Sequence, residues 1–96
     1  MNIRWTPEAE QDRLAIWDYL ATRDPAAALR MDRLFSDAVA GLADFPMRGH
    51  EGEIAGTREL TPHRRYRLVY EIIDDTVWIL VLIHTARQWP PLRHPQ

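Results

Sequence analysis

Arginines and one histidine in the C-terminal half are the residues whose types and spacing best suit chemistry. Arg58, Arg67 and Arg87 lie on three separate segments, with Arg65 and His84 close by in the chain. A guanidinium is a planar fork that binds phosphate or carboxylate through two parallel hydrogen bonds. Several converging on one spot neutralise a phosphate and the extra charge of a phosphoryl transition state. If their segments pair as strands, Arg58, Arg67 and Arg87 could converge on one sheet face, with the His63-Arg64-Arg65 segment adding positive charge. The alternative is that they pair with Glu59, Glu71 and Asp74 as solvated surface ion pairs. His84 ends an apolar run beside Thr85 and Arg87. Imidazole titrates near neutrality, so His84 could be a general base; it could equally be a strand-end histidine bonded to backbone.

Other chemistries find little support. Without cysteine there is no disulfide framework and no thiolate ligand or nucleophile. His50, His63, His84 and His94 show no recognised metal spacing, and neither metal nor cofactor is expected. Ser36, the only serine, is mid-helix, and Gly49, Gly52 and Gly56 do not match a phosphate-binding fingerprint. Glu51 and Glu53 share that glycine loop, where nothing in the spacing gives them a role. Trp89 reads as a packing anchor for the tail or as a stacking platform for a base. All 12 basic residues are arginine, yet the net charge is −2, against the basic excess usual for nucleic-acid binders. The arginine bias is also what a GC-rich coding sequence produces unaided.

The elements that position these residues are legible. Residues 65–72 alternate, with Tyr66, Leu68, Tyr70 and Ile72 on one face and Arg65, Arg67, Val69 and Glu71 on the other, which is a strand pattern. The run 77–83, VWILVLI, is apolar on both faces and β-branched, predicting a mid-sheet strand covered on both sides. The break Ile73-Asp74-Asp75-Thr76 suits a tight antiparallel hairpin. Asn2 to Trp5 could form a brief strand. Thr6-Pro7 and Asp24-Pro25 each read as N-cap followed by proline at the first helical position. They predict helices running to about residue 21 or 22 and, with Ala27, Met31, Leu34, Phe35, Ala38 and Leu42 as its apolar stripe, to Pro46. Arg13 interrupts the first helix's stripe. Residues 47–57 read as loop, 58–60 as a short strand broken by Pro62, and the last few residues as a fraying tail. The 96 residues make one domain, 1–96, of α+β class in the order β-α-α-β-β-β: a helical hairpin packed on a small antiparallel sheet. No apolar run is long enough for a membrane helix and no secretory signal opens the chain, so a soluble cytoplasmic protein is expected.

Taken together, PEAEQDRLAIWDYL, DPAAALRMDRLFSDAVAGLADFPMRG, TREL, YRLVYEI and IHTARQWPP resemble, in order and spacing, the RelE/ParE superfamily of bacterial type II toxins. The resemblance covers nearly the whole chain. It implies a toxin held harmless in a hetero-oligomer with a cognate antitoxin, whose disordered segment folds onto it. It implies one of two targets: DNA gyrase for ParE-like members, or the ribosome, with mRNA cleavage, for RelE-like members. Under the RelE-like pattern Arg67 and Arg87 match family arginines and Arg58 falls near a family lysine. A second family lysine falls near Leu60, and the C-terminal tyrosine has no counterpart. With the slightly acidic charge these departures favour a gyrase inhibitor, with a ribosome-dependent mRNA endonuclease as the alternative, in which His84 would replace the missing base. A third reading is an inactivated member that binds only its antitoxin.

Overall fold

The computed structural model describes residues 1–87 and 89–91; His94 and the fraying tail lie outside them. The chain runs β1 (Asn2–Trp5), α1 (Pro7–Ala21), α2 (Pro25–Gly41), β2 (His50–Glu51), β3 (Thr57–His63), β4 (Tyr66–Ile73) and β5 (Thr76–His84). Five strands form one sheet in the order β1-β5-β4-β3-β2, with the helical hairpin on one face. Both predicted caps are made. Thr6 Oγ1 accepts from Ala9 N at 3.1 Å and an Asp24 carboxylate oxygen from Ala27 N at 3.2 Å, satisfying amides that have no partner inside the helix.

The helices depart from expectation in two places. Arg13 crosses to α2 and grips the Asp32 carboxylate through Nε at 2.6 Å and Nη2 at 2.9 Å, with its guanidinium 5.0 Å from the Trp5 ring centre. The polar interruption of the stripe is thus the bridge between the helices. In α2 the buried positions are Ala28, Phe35 and Val39, continued by Leu42, whereas Leu34 is 40% exposed. Steps of three and four from Phe35 reach residues 28, 31, 39 and 42, and Leu34 lies one 100° step off that line. The α-helix ends at Gly41, before Pro46, because the chain tightens there: Leu42 N bonds Val39 O and Ala43 N bonds Ala40 O.

The sheet is mixed rather than antiparallel. β1 lies parallel to β5, with Ile3 opposite Val77 and Trp5 opposite Ile79. The intervening helices and strands supply the long crossover that parallel neighbours need. β4 and β5 form the expected antiparallel hairpin, and Asp74 turns it at φ 55°, a left-handed conformation that Asp tolerates. β5 is interior to the sheet, but the helices cover only one of its faces. Val69 pairs with Val81 while the next residue, Tyr70, pairs with Ile79, so Leu80 is an extra residue that bulges. The bulge shifts the phase of β5: Val77 and Ile79 are buried below it, Leu82 above it. Residues apolar on both faces are what such a shift requires. Pro62 does not break β3; it falls in the irregular pairing between Leu60 and His63, where no ladder bond is needed from it.

The expected loop contains the fifth strand, β2, paired with β3 through His50 opposite Glu59 and Glu51 opposite Arg58. Its approach depends on Tyr70, which is fully buried. The phenol donates to Pro46 O at 2.6 Å and accepts from Gly49 N at 3.0 Å. A Cβ on Gly49 would sit 2.6 Å from Glu59 O and 2.8 Å from the Tyr70 hydroxyl, so only glycine fits.

Candidate functional site

At one end of the sheet the β3–β4 turn and the exit of β5 are stapled together by Thr85. Its amide donates to Arg65 O at 2.8 Å and its hydroxyl to Arg64 O at 3.0 Å. The staple gathers His63, Arg64, Arg65, His84 and Arg87 at one pole. Asp74 and Asp75, in the β4–β5 turn, lie at the opposite end of the hairpin. Between this pole and α1 is a groove of about 480 Å³, lined by Asp12, Tyr19, Arg65, Tyr66, His84 and Arg87 over an apolar floor that includes Ile16, Leu20 and Leu82.

Each polar group here has a structural reason for its place. β1 pairs with β5 only as far as Ile79, so beyond it the β5 edge lacks a strand partner. There α1 supplies the bonds instead, and the Asp12 carboxylate accepts from Leu82 N at 3.1 Å. Burial raises the Asp12 carboxyl above its usual 3.8; the Leu82 amide and the Arg87 guanidinium oppose the rise, and Glu8 adds to it. Tyr66 stacks edge-on to both Phe35 at 5.3 Å and His84 at 5.4 Å between ring centres. Its burial, and then Tyr19, push the phenol above 10.0 against the pull of Arg65, so it stays neutral.

His84 is engaged with backbone: its Nδ1 accepts from Ala86 N at 3.0 Å. In that arrangement the neutral ring carries its hydrogen on Nε2. His63 does the same for Arg65 N at 3.1 Å.

The three arginines expected to converge do not. Arg58 sits opposite Tyr70, on the helix-covered face, where Nη2 donates to Met47 O at 3.2 Å and also to Gly49 O. It is a clamp on the loop before β2. Arg67 lies on the face away from the helices, 3.5 Å from the carboxylate of Glu59, which is itself buried. Pairing with Glu59 is thus the outcome for Arg67. The cause is alternation: with Tyr70 facing the helices, Arg67 must face away. Arg65, His84 and Arg87 alone share the groove. Sequence reasoning missed Asp12 and Tyr19, and treated Tyr66 only as core. Asp12 had one signal, a carboxylate four residues from Ile16 on the inward side of α1, but nothing in the sequence announced the β5 edge that it caps.

A helical hairpin over one face of a five-stranded mixed sheet, with a groove of apolar floor and polar rim at the sheet's end, defines a small two-layer α+β protein. Its family is resolved by comparison. The family described as the ParE toxin of type II toxin–antitoxin systems, parDE, matches residues 3–89. Y4kP of Sinorhizobium fredii is 39% identical over 90 residues, 93% of each chain. Toxin RelE2 of Caulobacter vibrioides is 37% identical over 86 residues, 90% of this chain and 97% of its own. Among solved structures, that of the chromosomal ParDE system from P. aeruginosa superposes with a TM-score of 0.78 at 25% identity, covering 88% of this chain and 95% of the other. The chain belongs to the ParE toxin family, within the RelE/ParE superfamily, and is the toxin of a type II toxin–antitoxin system. Its partner is accordingly an antitoxin.

Proposed function

We propose that this toxin arrests growth by contact, as a ParE-like inhibitor of DNA gyrase in the cytoplasm, rather than by cutting mRNA. The observation that supports this best is the dispersal of the nuclease candidates. Arg67 is paired with Glu59 on the face away from the helices, Arg58 is bonded to carbonyls on the other, and His84 Nδ1 accepts from Ala86 N. An in-line phosphoryl displacement needs a base and cations within a few ångströms of one phosphate, and these residues do not offer that set. The net charge of −2 is a further argument, since the ribosome is a polyanion. The remaining reading, a ribosome-dependent endonuclease, is favoured by one feature: Arg65, His84 and Arg87 do line one groove.

The test is controlled expression without antitoxin in a bacterial host, following mRNA integrity and the DNA-damage response together. Induction of the damage response and filamentation with intact mRNA are expected. Arg67→Ala and His84→Gln should then reduce growth arrest less than threefold. Early mRNA cleavage that Arg67→Ala or Arg87→Ala abolishes would establish the ribonuclease instead. Unimpeded growth at full expression would identify a member that binds only its antitoxin.

A further inference from the structure

The loop between α2 and β2 is fastened from inside the molecule and apolar on the outside. Among the described residues Leu29, Phe45 and Met47 are the most exposed large apolar side chains, and two of the three share this loop. Its backbone is nonetheless fixed. Phe45 N donates to Gly41 O at 3.0 Å and Arg48 N to Phe45 O at 3.1 Å. The Tyr70 hydroxyl donates to Pro46 O and accepts from Gly49 N, while Arg58 holds the carbonyls of Met47 and Gly49. Arg48 is placed as well. Its guanidinium lies 5.2 Å from the Phe45 ring centre and close to Gly41, at the C-terminal end of α2, where the helix dipole favours a cation. A fully buried tyrosine and a half-buried arginine thus present side chains that stand outside the core cluster. Phe45 and Met47 gain burial only when a partner covers them.

We propose that this loop is the surface by which the toxin grips gyrase: Phe45 and Met47 enter an apolar pocket of a gyrase subunit, and Arg48 pairs with a carboxylate at its rim. The inference rests on the reading of the protein as a gyrase inhibitor and adds the place of contact. An inhibitor that acts by contact draws most of its affinity from a few aromatic and arginine anchors, the more so when they are ordered before binding. Phe45 and Arg48 are such a pair. Among the described residues neither Arg48 nor Asp44, both exposed, has an ion-pair partner within 4.0 Å. A hollow of about 450 Å³ lined by residues 44–48 has room for a side chain of the partner. The two unpaired charges of opposite sign favour a protein over DNA. Arg48 attracts a phosphate, but Asp44 beside it repels the next, whereas a protein surface supplies charges of both signs. The loop leads into β2 at one sheet edge, with β3 and β4 between it and β5, so it is separate from the groove of Arg65, His84 and Arg87.

The experiment measures binding of the full-length toxin, purified from its antitoxin complex, to purified gyrase by biolayer interferometry, alongside inhibition of supercoiling. Folding of each variant is checked by circular dichroism. Wild type should bind and inhibit. Phe45→Ser/Met47→Ser should weaken both at least about 30-fold, the size of a hot-spot loss, and Arg48→Glu at least about tenfold. Leu29→Ser, at an exposed apolar position of α2, should stay within about twofold. Affinities of the double variant and Arg48→Glu within about twofold of wild type, with folding intact, would overturn this contact and leave gyrase as the target. Failure of the wild type to bind or inhibit gyrase would overturn the gyrase reading and this contact with it. A labelled duplex of about 20 base pairs that binds wild type but not the double variant, while affinity for DNA-free gyrase is unchanged, would also overturn it and assign the loop to DNA.

Discussion

Replacing Tyr70 by Phe removes one oxygen atom and should cost this protein a large part of its stability. The ring, fully buried, would keep its packing. The oxygen, however, serves both sides of the loop that leads into β2. It donates to Pro46 O at 2.6 Å and accepts from the buried Gly49 N at 3.0 Å. A buried amide left without a partner costs about 1–3 kcal/mol, and the partly exposed Pro46 bond contributes about 1 kcal/mol. The sum is about 3 kcal/mol against the roughly 5–15 kcal/mol that separates folded from unfolded in a domain of this size. At about 4–8 °C per kcal/mol, the melting temperature should fall by about 12–24 °C. Differential scanning calorimetry measures it, and hydrogen exchange at Gly49 should accelerate more than at Val77 in β5. The loop also presents Phe45 and Met47, 60% and 63% exposed, so its loosening should appear locally before the sheet melts. A melting temperature within 5 °C of wild type would mean that water or another acceptor replaces the phenol, and the reasoning would be wrong.

Two further changes read other parts of the same framework. Gly49→Ala places a Cβ against Glu59 O and the Tyr70 hydroxyl; it should lower stability by more than about 2 kcal/mol, measured by urea unfolding, and displace β2 from β3. Asp12→Asn tests the buried carboxyl. Because the folded carboxyl has its pKa raised above 3.8, the native state binds the proton more readily than the unfolded one. Stability should therefore fall as pH rises from 3.8 through the raised value, and the Asn variant, which can still accept from Leu82 N, should lack that slope in pH-dependent unfolding.

The site was harder to read than the fold because the two rest on different interactions. Helix caps, the hairpin turn and the period-two pattern of residues 65–72 are local, set by neighbours a few positions apart, and the structure forms all three. The N-terminal strand was legible for the same reason, but its direction was not. Nor was β2: two residues in a glycine-rich stretch carry no pattern, and they meet β3 because Tyr70 and Arg58 hold the carbonyls of Pro46, Met47 and Gly49 and the Gly49 amide just ahead of them. A bulge is similarly silent, since VWILVLI reads alike with or without the extra residue at Leu80. The expected convergence of Arg58, Arg67 and Arg87 failed on a matter of facing. Register placed Arg58 beside Tyr70 and the bonds of the loop, while alternation sent Arg67 to the other side with Glu59.

By itself, then, the sequence determined that two capped helices and a β-hairpin would form, and its ordered segments carried the superfamily. Those features depend on short-range sterics, hydrogen bonding and apolar periodicity. Only the tertiary structure decided which cations share a surface. Thr85, by bonding the backbone of the β3–β4 turn, brings Arg64 and Arg65 beside Arg87 from more than twenty positions away. Such a meeting is set by strand register and by the bulge, and no residue near any of the three arginines records it.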